Sequence, residues 1–192
     1  MKYPKHLHDI IWFSDAFHTH ERNEVCFVKT DNSLTYLYET VTRIPLLHTE
    51  LQEDIYYYLY TLYNAGIRVF LVDMERDLST IILEELLTLR EQFPTIKIIA
   101  CIPRKHQTTM WSPDECTKYH YLKNQTDEIL SLFKFTVSAN TQVAVDKLLV
   151  DLSGTGVFFH IGKPQLSSPL TTYACENYPQ LQLHHFTLLK EN

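Results

Sequence analysis

The stretch Gly66-Ile67-Arg68-Val69-Phe70-Leu71-Val72-Asp73-Met74-Glu75-Arg76-Asp77 decides the fold. Ile67 to Val72 is a run of β-branched, aliphatic and aromatic residues broken only by Arg68, the pattern of a buried strand. Before it, Leu51, Ile55, Leu59 and Leu62 recur at helical spacing, and Gly66 stands where a helix ends in a C′ glycine. After it, Ile82, Leu83, Leu86, Leu87 and Leu89 mark a second helix over about Ser79 to Phe93. Pro94 stops that helix ahead of another strand, Ile96 to Ile102. Strand, helix and strand in this order make a βαβ unit, and such a unit implies a parallel sheet with its helices on the faces.

The alternation continues toward the C-terminus. Ser112-Pro113-Asp114-Glu115 has a capping-box start for a helix reaching about Leu122. Glu128 to Leu132 reads as a short strand. Asn140 caps a helix with Val143, Leu148, Leu149 and Leu152 inward and Gly154 at its end, followed by the strand Val157 to Ile161. Ser168-Pro169 opens a last helix through about Tyr178, and Leu181 to Phe186 closes the sheet. Toward the N-terminus, His8 to Phe13 reads as a first strand ending at Ser14-Asp15. Glu24 to Lys29 and Leu34 to Tyr38, separated by Thr30-Asp31-Asn32-Ser33, read as a small hairpin. The expectation is a single α/β domain over residues 1–192. It is Rossmann-like and doubly wound, with a mostly parallel sheet, helices on both faces and an irregular hairpin insertion over 16–48.

Composition narrows the function classes. The 192 residues carry 17 basic against 23 acidic side chains, a net charge of −6, so the basic excess needed to hold a phosphate backbone is missing and nucleic acid is not an expected partner. Cys26, Cys101, Cys116 and Cys175 form no CxxC pair, and no stretch resembles a signal peptide, so reduced thiols in the cytoplasm are expected. No window has the apolar length of a membrane span, and no membrane partner is expected.

In an open parallel sheet the ligand sits outside the carboxyl ends of the strands, where the strand order reverses. The loops placed there begin at Ser14-Asp15, at Asp73 to Asp77, at Pro103 to Gln107 and at Gly162 to Ser168. A phosphate-binding loop needs glycines, because backbone N–H groups must reach the phosphate with no Cβ in the way. The chain holds 4 glycines in all and has neither GxGxxG nor GxxxxGK[ST], so no nucleotide cofactor motif is present. Asp73, Glu75 and Asp77 stand where an anion would approach; one like-charge contact at about 4 Å costs on the order of 1 kcal/mol in water and more when partly buried.

These loops and their flanks resemble the YpsA-like branch of the SLOG superfamily, Rossmann-like proteins related to the LOG phosphoribohydrolases and to DprA. The resemblance runs from Gly66 to Phe186, about two thirds of the chain. It rests on Gly66 to Leu71, on Glu84 with Leu86-Leu87, on Ile98 to Pro103 followed by Gln107 and Trp111, on Val150-Asp151 with Ser153, and on Tyr173-Ala174. The departures fall on the family's ligand pocket. Asp73 and Asp77 replace glycines and Ser79 replaces Asp. Ser167-Ser168-Pro169 replaces Gly-Gly-Thr, and Val145-Asp146 replaces an Arg-Asn pair. The Gly-His-Arg expected near Ser14 to Phe17 is missing. The resemblance implies a diverged member whose ligand, if any, is a nucleotide-like small molecule.

Each candidate residue has two readings. Glu84 is either a catalytic carboxylate or a solvated helix charge. Ser167 and Ser168 either donate to an anion at a helix N-terminus or merely cap the helix before Pro169. Gln107 and Trp111 frame a planar ring or pack the start of their helix. Asp73, Glu75 and Asp77 lack the spacing of a calcium loop, and no histidine pair has a partner pair at zinc spacing, so no metal is expected. Tyr56, Tyr57, Tyr58, Tyr60 and Tyr63 cover their helix on all sides, which suggests a homodimer contact. The leading expectation is a non-catalytic ligand-binding or interaction domain with a degenerate nucleotide pocket. The alternative is a LOG-like nucleotide N-glycosidase using Glu84.

Overall fold

A computed structural model of the chain describes residues 3, 5–7, 9–10, 14–30, 44–135, 141–161 and 169–188. Its strands are β1 (Val25–Thr30), β2 (Val69–Asp73), β3 (Lys97–Cys101), β4 (Glu128–Leu130), β5 (Thr155–Ile161) and β6 (Gln182–Leu188). Its α-helices are α1 (Asp15–Thr19), α2 (Pro45–Asn64), α3 (Leu78–Gln92), α4 (Pro113–Gln125), α5 (Thr141–Leu152) and α6 (Pro169–Asn177). The six strands form one sheet in the order β4-β3-β2-β1-β5-β6, and every neighbouring pair is parallel. This is a Rossmann-like doubly wound fold. The chain steps from β1 outward to β4, then crosses back to β5 on the other side of β1.

Right-handed crossovers require helices to change face when that direction reverses. They do so here. On one face α2, α3 and α4 pack Leu51, Ile55, Leu86 and Tyr119 against Cys26, Phe70, Ile98 and Val157. On the other, α5 and α6 pack Leu149, Val150 and Ala174 against Phe27, Leu71, Ile99 and Phe158. Successive strand residues alternate between the two clusters, as the period of two demands.

The helix ends follow their sequence signals. Gly66 has φ +104°, and the Schellman bonds close behind α2: Gly66 N–H donates to the Tyr63 carbonyl at 3.0 Å and Ile67 N–H to the Leu62 carbonyl at 3.1 Å. The capping box of α4 is reciprocal, with Glu115 N–H on Ser112 Oγ at 3.3 Å and Ser112 N–H on Glu115 Oε2 at 2.6 Å. Gly154 has a different reason to be glycine. A Cβ there would meet the Arg22 carbonyl oxygen at 2.6 Å and Asn23 Cα at 2.7 Å.

Two expectations near the N-terminus are corrected. The described residues of the expected first strand are not extended: Lys5–Leu7 form a 3-10 turn and Asp9 and Ile10 are helical, while His8 and residues 11–13 lie outside the description. Leu7 and Ile10 are buried three positions apart, a helical spacing that a short apolar run conceals. The expected hairpin arm Glu24 to Lys29 is instead the central strand. Both edges of β1 are occupied, by β2 from Val25↔Val69 and by β5 from Cys26↔Thr155, so it has no edge left for a hairpin partner. The other arm, Leu34 to Tyr38, lies outside the described residues.

Candidate functional site

Because the strand order turns around β1, the carboxyl end of β1 beside β5 is where the two halves of the sheet diverge and a crevice opens. A cavity of about 190 Å³ lies there. Lys29 and Thr30 enter it from β1, Phe158 and His160 from β5, and His185 from β6. Val143, Asp146 and Lys147 of α5 form one wall, and Pro169 and Leu170 of α6 another.

Lys29 organises the charge. Its Nζ lies 2.6 Å from Asp146 Oδ1 and 3.7 Å from Asp73 Oδ2. Burial alone would lower its proton affinity, but Asp73 and Asp146, with Glu75 behind them, hold the lysine above its usual range. Asp73 closes β2 and is fully buried. Ser79 Oγ donates to its Oδ1 at 3.0 Å and exchanges a further bond with Thr30 Oγ1 at 3.1 Å, while Asp73 Oδ2 has no hydrogen-bond partner. Burial pushes the Asp73 carboxyl up to about 7, which Lys29 and the Ser79 bond only partly offset.

On the opposite wall His160 Nε2 and His185 Nδ1 are 2.9 Å apart, so one proton is shared between them, and Phe158 stacks on His185 at 5.0 Å. Burial, then His160 and His184, lower the proton affinity of His185. The described floor is therefore aromatic, with His185 held toward its neutral form, and among the described residues the strand-end lysine, Lys29, is already balanced by carboxylates. Pro169 at the first position of α6 offers no N–H to an anion.

Asp73 is the sequence candidate that the structure sets behind this crevice. Asp77 occupies a glycine-like backbone. Its φ of +62° and ψ of −110° are those of the first central residue of a type II′ turn, closed by Ser79 N–H on the Arg76 carbonyl at 3.4 Å. Glu75 is held by Arg104 at 2.7 Å. Among the described residues no three His, Cys, Asp or Glu side chains gather as a metal-holding group.

The remaining candidates lie elsewhere. Ser14 and Asp15 start α1 at the opposite end of the sheet, where Ala16 N–H donates to Glu128 Oε1 at 2.9 Å, at the amino end of β4. Once the first strand is removed from the plan, the loop that follows it no longer belongs to the crevice. Glu84 sits on the outer side of α3 in an ion pair with Lys118 of α4 at 2.9 Å. Gln107 Nε2 donates to the Met74 carbonyl, tying the loop after β3 to the end of β2. Trp111 packs edge-on against Tyr119 at 5.3 Å with the Arg76 guanidinium 5.4 Å above its ring. Trp111 lines a smaller hollow of about 160 Å³ with Arg76, Thr80 and Lys118, and Gln107 is not part of its lining. Ser167 and Ser168 lie outside the described residues. The tyrosines of α2 pack largely within the chain. Tyr58 meets Phe159 and Phe186, Tyr60 and Tyr63 meet Phe93, and Tyr57 alone among the five is exposed.

Lys29, His160, His185 and Lys147 are site residues that sequence reasoning does not find. Read as part of a hairpin, Lys29 gives no sign in the sequence of its position at a strand's carboxyl end. The histidines face the crevice only through the β5–β6 register, which sets Phe158 beside His185 and His160 beside Thr187. Asp146, seen only as a departure from the family pattern, is the partner of Lys29.

No protein-family model matches the chain, and no curated protein matches it either. No helix among the described residues is long and apolar enough to cross a membrane.

Proposed function

We propose that the chain is a non-catalytic ligand-binding domain, a diverged relative of the YpsA-like SLOG proteins, whose ligand enters the crevice between β1 and β5. The observation that carries this reading is Lys29. It is a charged side chain at the carboxyl end of the central strand, bordering a cavity at the point where the strand order reverses. The occupant is a nucleotide-like molecule with at most one phosphate. The volume of about 190 Å³ is small for a ligand site, and Asp73 and Asp146 balance the lysine that a longer phosphate chain would need. A cytoplasmic setting belongs to the same reading, with Cys26 and Cys101 buried as free thiols.

The N-glycosidase alternative needs Glu84 beside a bound sugar, and the ion pair of Glu84 with Lys118 on the outer side of α3 gives it no support. A homodimer through Tyr56, Tyr57, Tyr60 and Tyr63 is not needed here, since most of those rings have partners in their own chain.

A thermal-shift panel of adenosine, AMP and ADP-ribose, run alongside an assay for released base, tests the reading. Adenosine or AMP should raise the melting temperature, the crevice-filling variant Val143→Trp should remove the rise, and no base should appear. Release of base that disappears in Glu84→Gln would replace this function with the enzymatic one.

A further inference from the structure

The crevice, if it is the ligand site just argued, has an electrostatic problem at Lys29. An anion reaching Nζ comes close to two carboxylates that already occupy it. Asp146 retains some contact with solvent, with 18% of its side chain exposed, and water can screen its repulsion. Asp73, 4% exposed, has no such relief, and its Oδ2 is buried without a hydrogen-bond donor. Protonating Asp73 removes the repulsion and turns the orphaned oxygen into a hydroxyl that can donate.

We propose that the crevice takes the anionic group of its ligand together with one proton, the anion replacing Asp73 as a counter-ion of Lys29 and the proton going to Asp73. The proton is delivered through solvent from the buffer acid, whose bond to hydrogen breaks as the O–H on Asp73 forms, leaving the conjugate base in solution.

The groups facing Asp73 favour this assignment. From β1 comes Lys29, which its carboxylates keep charged. From β3 comes Cys101, whose thiol burial keeps neutral. The loop after β2 brings Glu75, engaged by Arg104; α3 brings Ser79; α5 brings Asp146. Across the crevice His185 is held toward its neutral form by burial and by His160 and His184, and Lys147 of α5 lies against the Tyr173 ring at 4.9 Å. Asp73 is thus the member poised near neutrality, burial having pushed it up to about 7.

Calorimetric titration with AMP and with adenosine between pH 6 and 8.5, in buffers of different ionisation enthalpy, tests the proposal. AMP should take up about half a proton at pH 7 and close to one at pH 8, and bind roughly fivefold more weakly at pH 8 than at pH 7, whereas adenosine should be insensitive to pH. In Asp73→Asn the pH dependence of AMP should vanish. If it persists there, the proton is on the ligand's own phosphate and the proposal is overturned. Should Asp73→Asn fold poorly, carbon-13 NMR titration of the Asp73 carboxyl in the unaltered protein replaces it, and an apparent pKa that fails to rise on adding AMP has the same force. Binding of adenosine but not AMP would leave the ligand site standing and remove the proton linkage. Binding of neither would remove both.

Discussion

Lys29 and Asp146 are 117 positions apart in the chain and their side chains meet at 2.6 Å, closing the carboxyl end of β1 against α5. The contact joins the half of the sheet that runs out to β4 with the half that returns through β5. It exists only because the strand order reverses between them.

Asp73 makes stability depend on pH in a direction opposite to most carboxylates. Its folded value of about 7 lies above its unfolded value near 3.8, so the folded state binds more protons than the unfolded one between them. Its contribution is therefore greatest in acid, falls as pH rises through that window and is level above it. Asp73→Asn removes this loss, so the difference in unfolding free energy between variant and parent should move in the variant's favour by on the order of 3–4 kcal/mol from pH 4 to pH 8. Urea denaturation at both pH values measures it. A difference that stays flat would mean that Asp73 ionises normally.

Asp77 holds a backbone conformation natural to glycine. Asp77→Gly should stabilise the protein by about 1 kcal/mol, because relief at a strained φ outweighs the added freedom of the unfolded chain. For a domain of this size that is a rise of roughly 2–4 °C in melting temperature, readable by calorimetry. A lower melting temperature would show that the carboxylate matters more than the turn.

Gly154 and Gly66 should respond differently to alanine. At Gly154 a methyl group runs into backbone atoms of Arg22 and Asn23, and the Arg22 side chain cannot retreat easily. Its guanidinium donates to the carbonyls of Val150 and Asp151 at the end of α5 and lies 4.0 Å over the Tyr178 ring. Gly154→Ala should cost about 3 kcal/mol or more. Gly66→Ala meets no atom within 4 Å and should cost only about 1 kcal/mol, from φ alone. Equal losses in chemical denaturation would contradict the close approach at Gly154.

Glu84→Gln breaks an ion pair whose partners are 34% and 44% exposed, and such pairs contribute at most about 1 kcal/mol. Its melting temperature should stay within a few degrees of the parent and its response to AMP should be unchanged. A large loss of ligand response would move the site from the crevice to α3.

The fold was legible wherever sequence pattern and local physics agree. From Leu51 onward the helix faces, the Gly66 stop, the Ser112–Glu115 box and the strands around Phe70 and Ile98 all followed from periodicity and capping. It failed before residue 49, where Leu7 and Ile10 sit in too short an apolar run to separate turn from strand, and where Val25 to Thr30 has turn-forming neighbours on its C-terminal side. That one strand is the centre of the sheet, so misplacing it moved the expected site to Ser14 and hid Lys29. Asp73 was identified because it follows an unmistakable strand. His160 and His185 could not be, since their meeting depends on inter-strand register, and periodicity within either strand is silent about it. Glu84 drew attention through resemblance, but its helical position turns it toward Lys118.

The most direct test of the crevice as the ligand site is chemical-shift mapping of the isotope-labelled protein titrated with AMP. The largest changes are expected at Lys29, Thr30, Asp146, Phe158, His160 and His185, with Glu84 and Trp111 unmoved. Changes gathered instead around Arg76, Trp111 and Lys118, or none at saturating AMP, would contradict it.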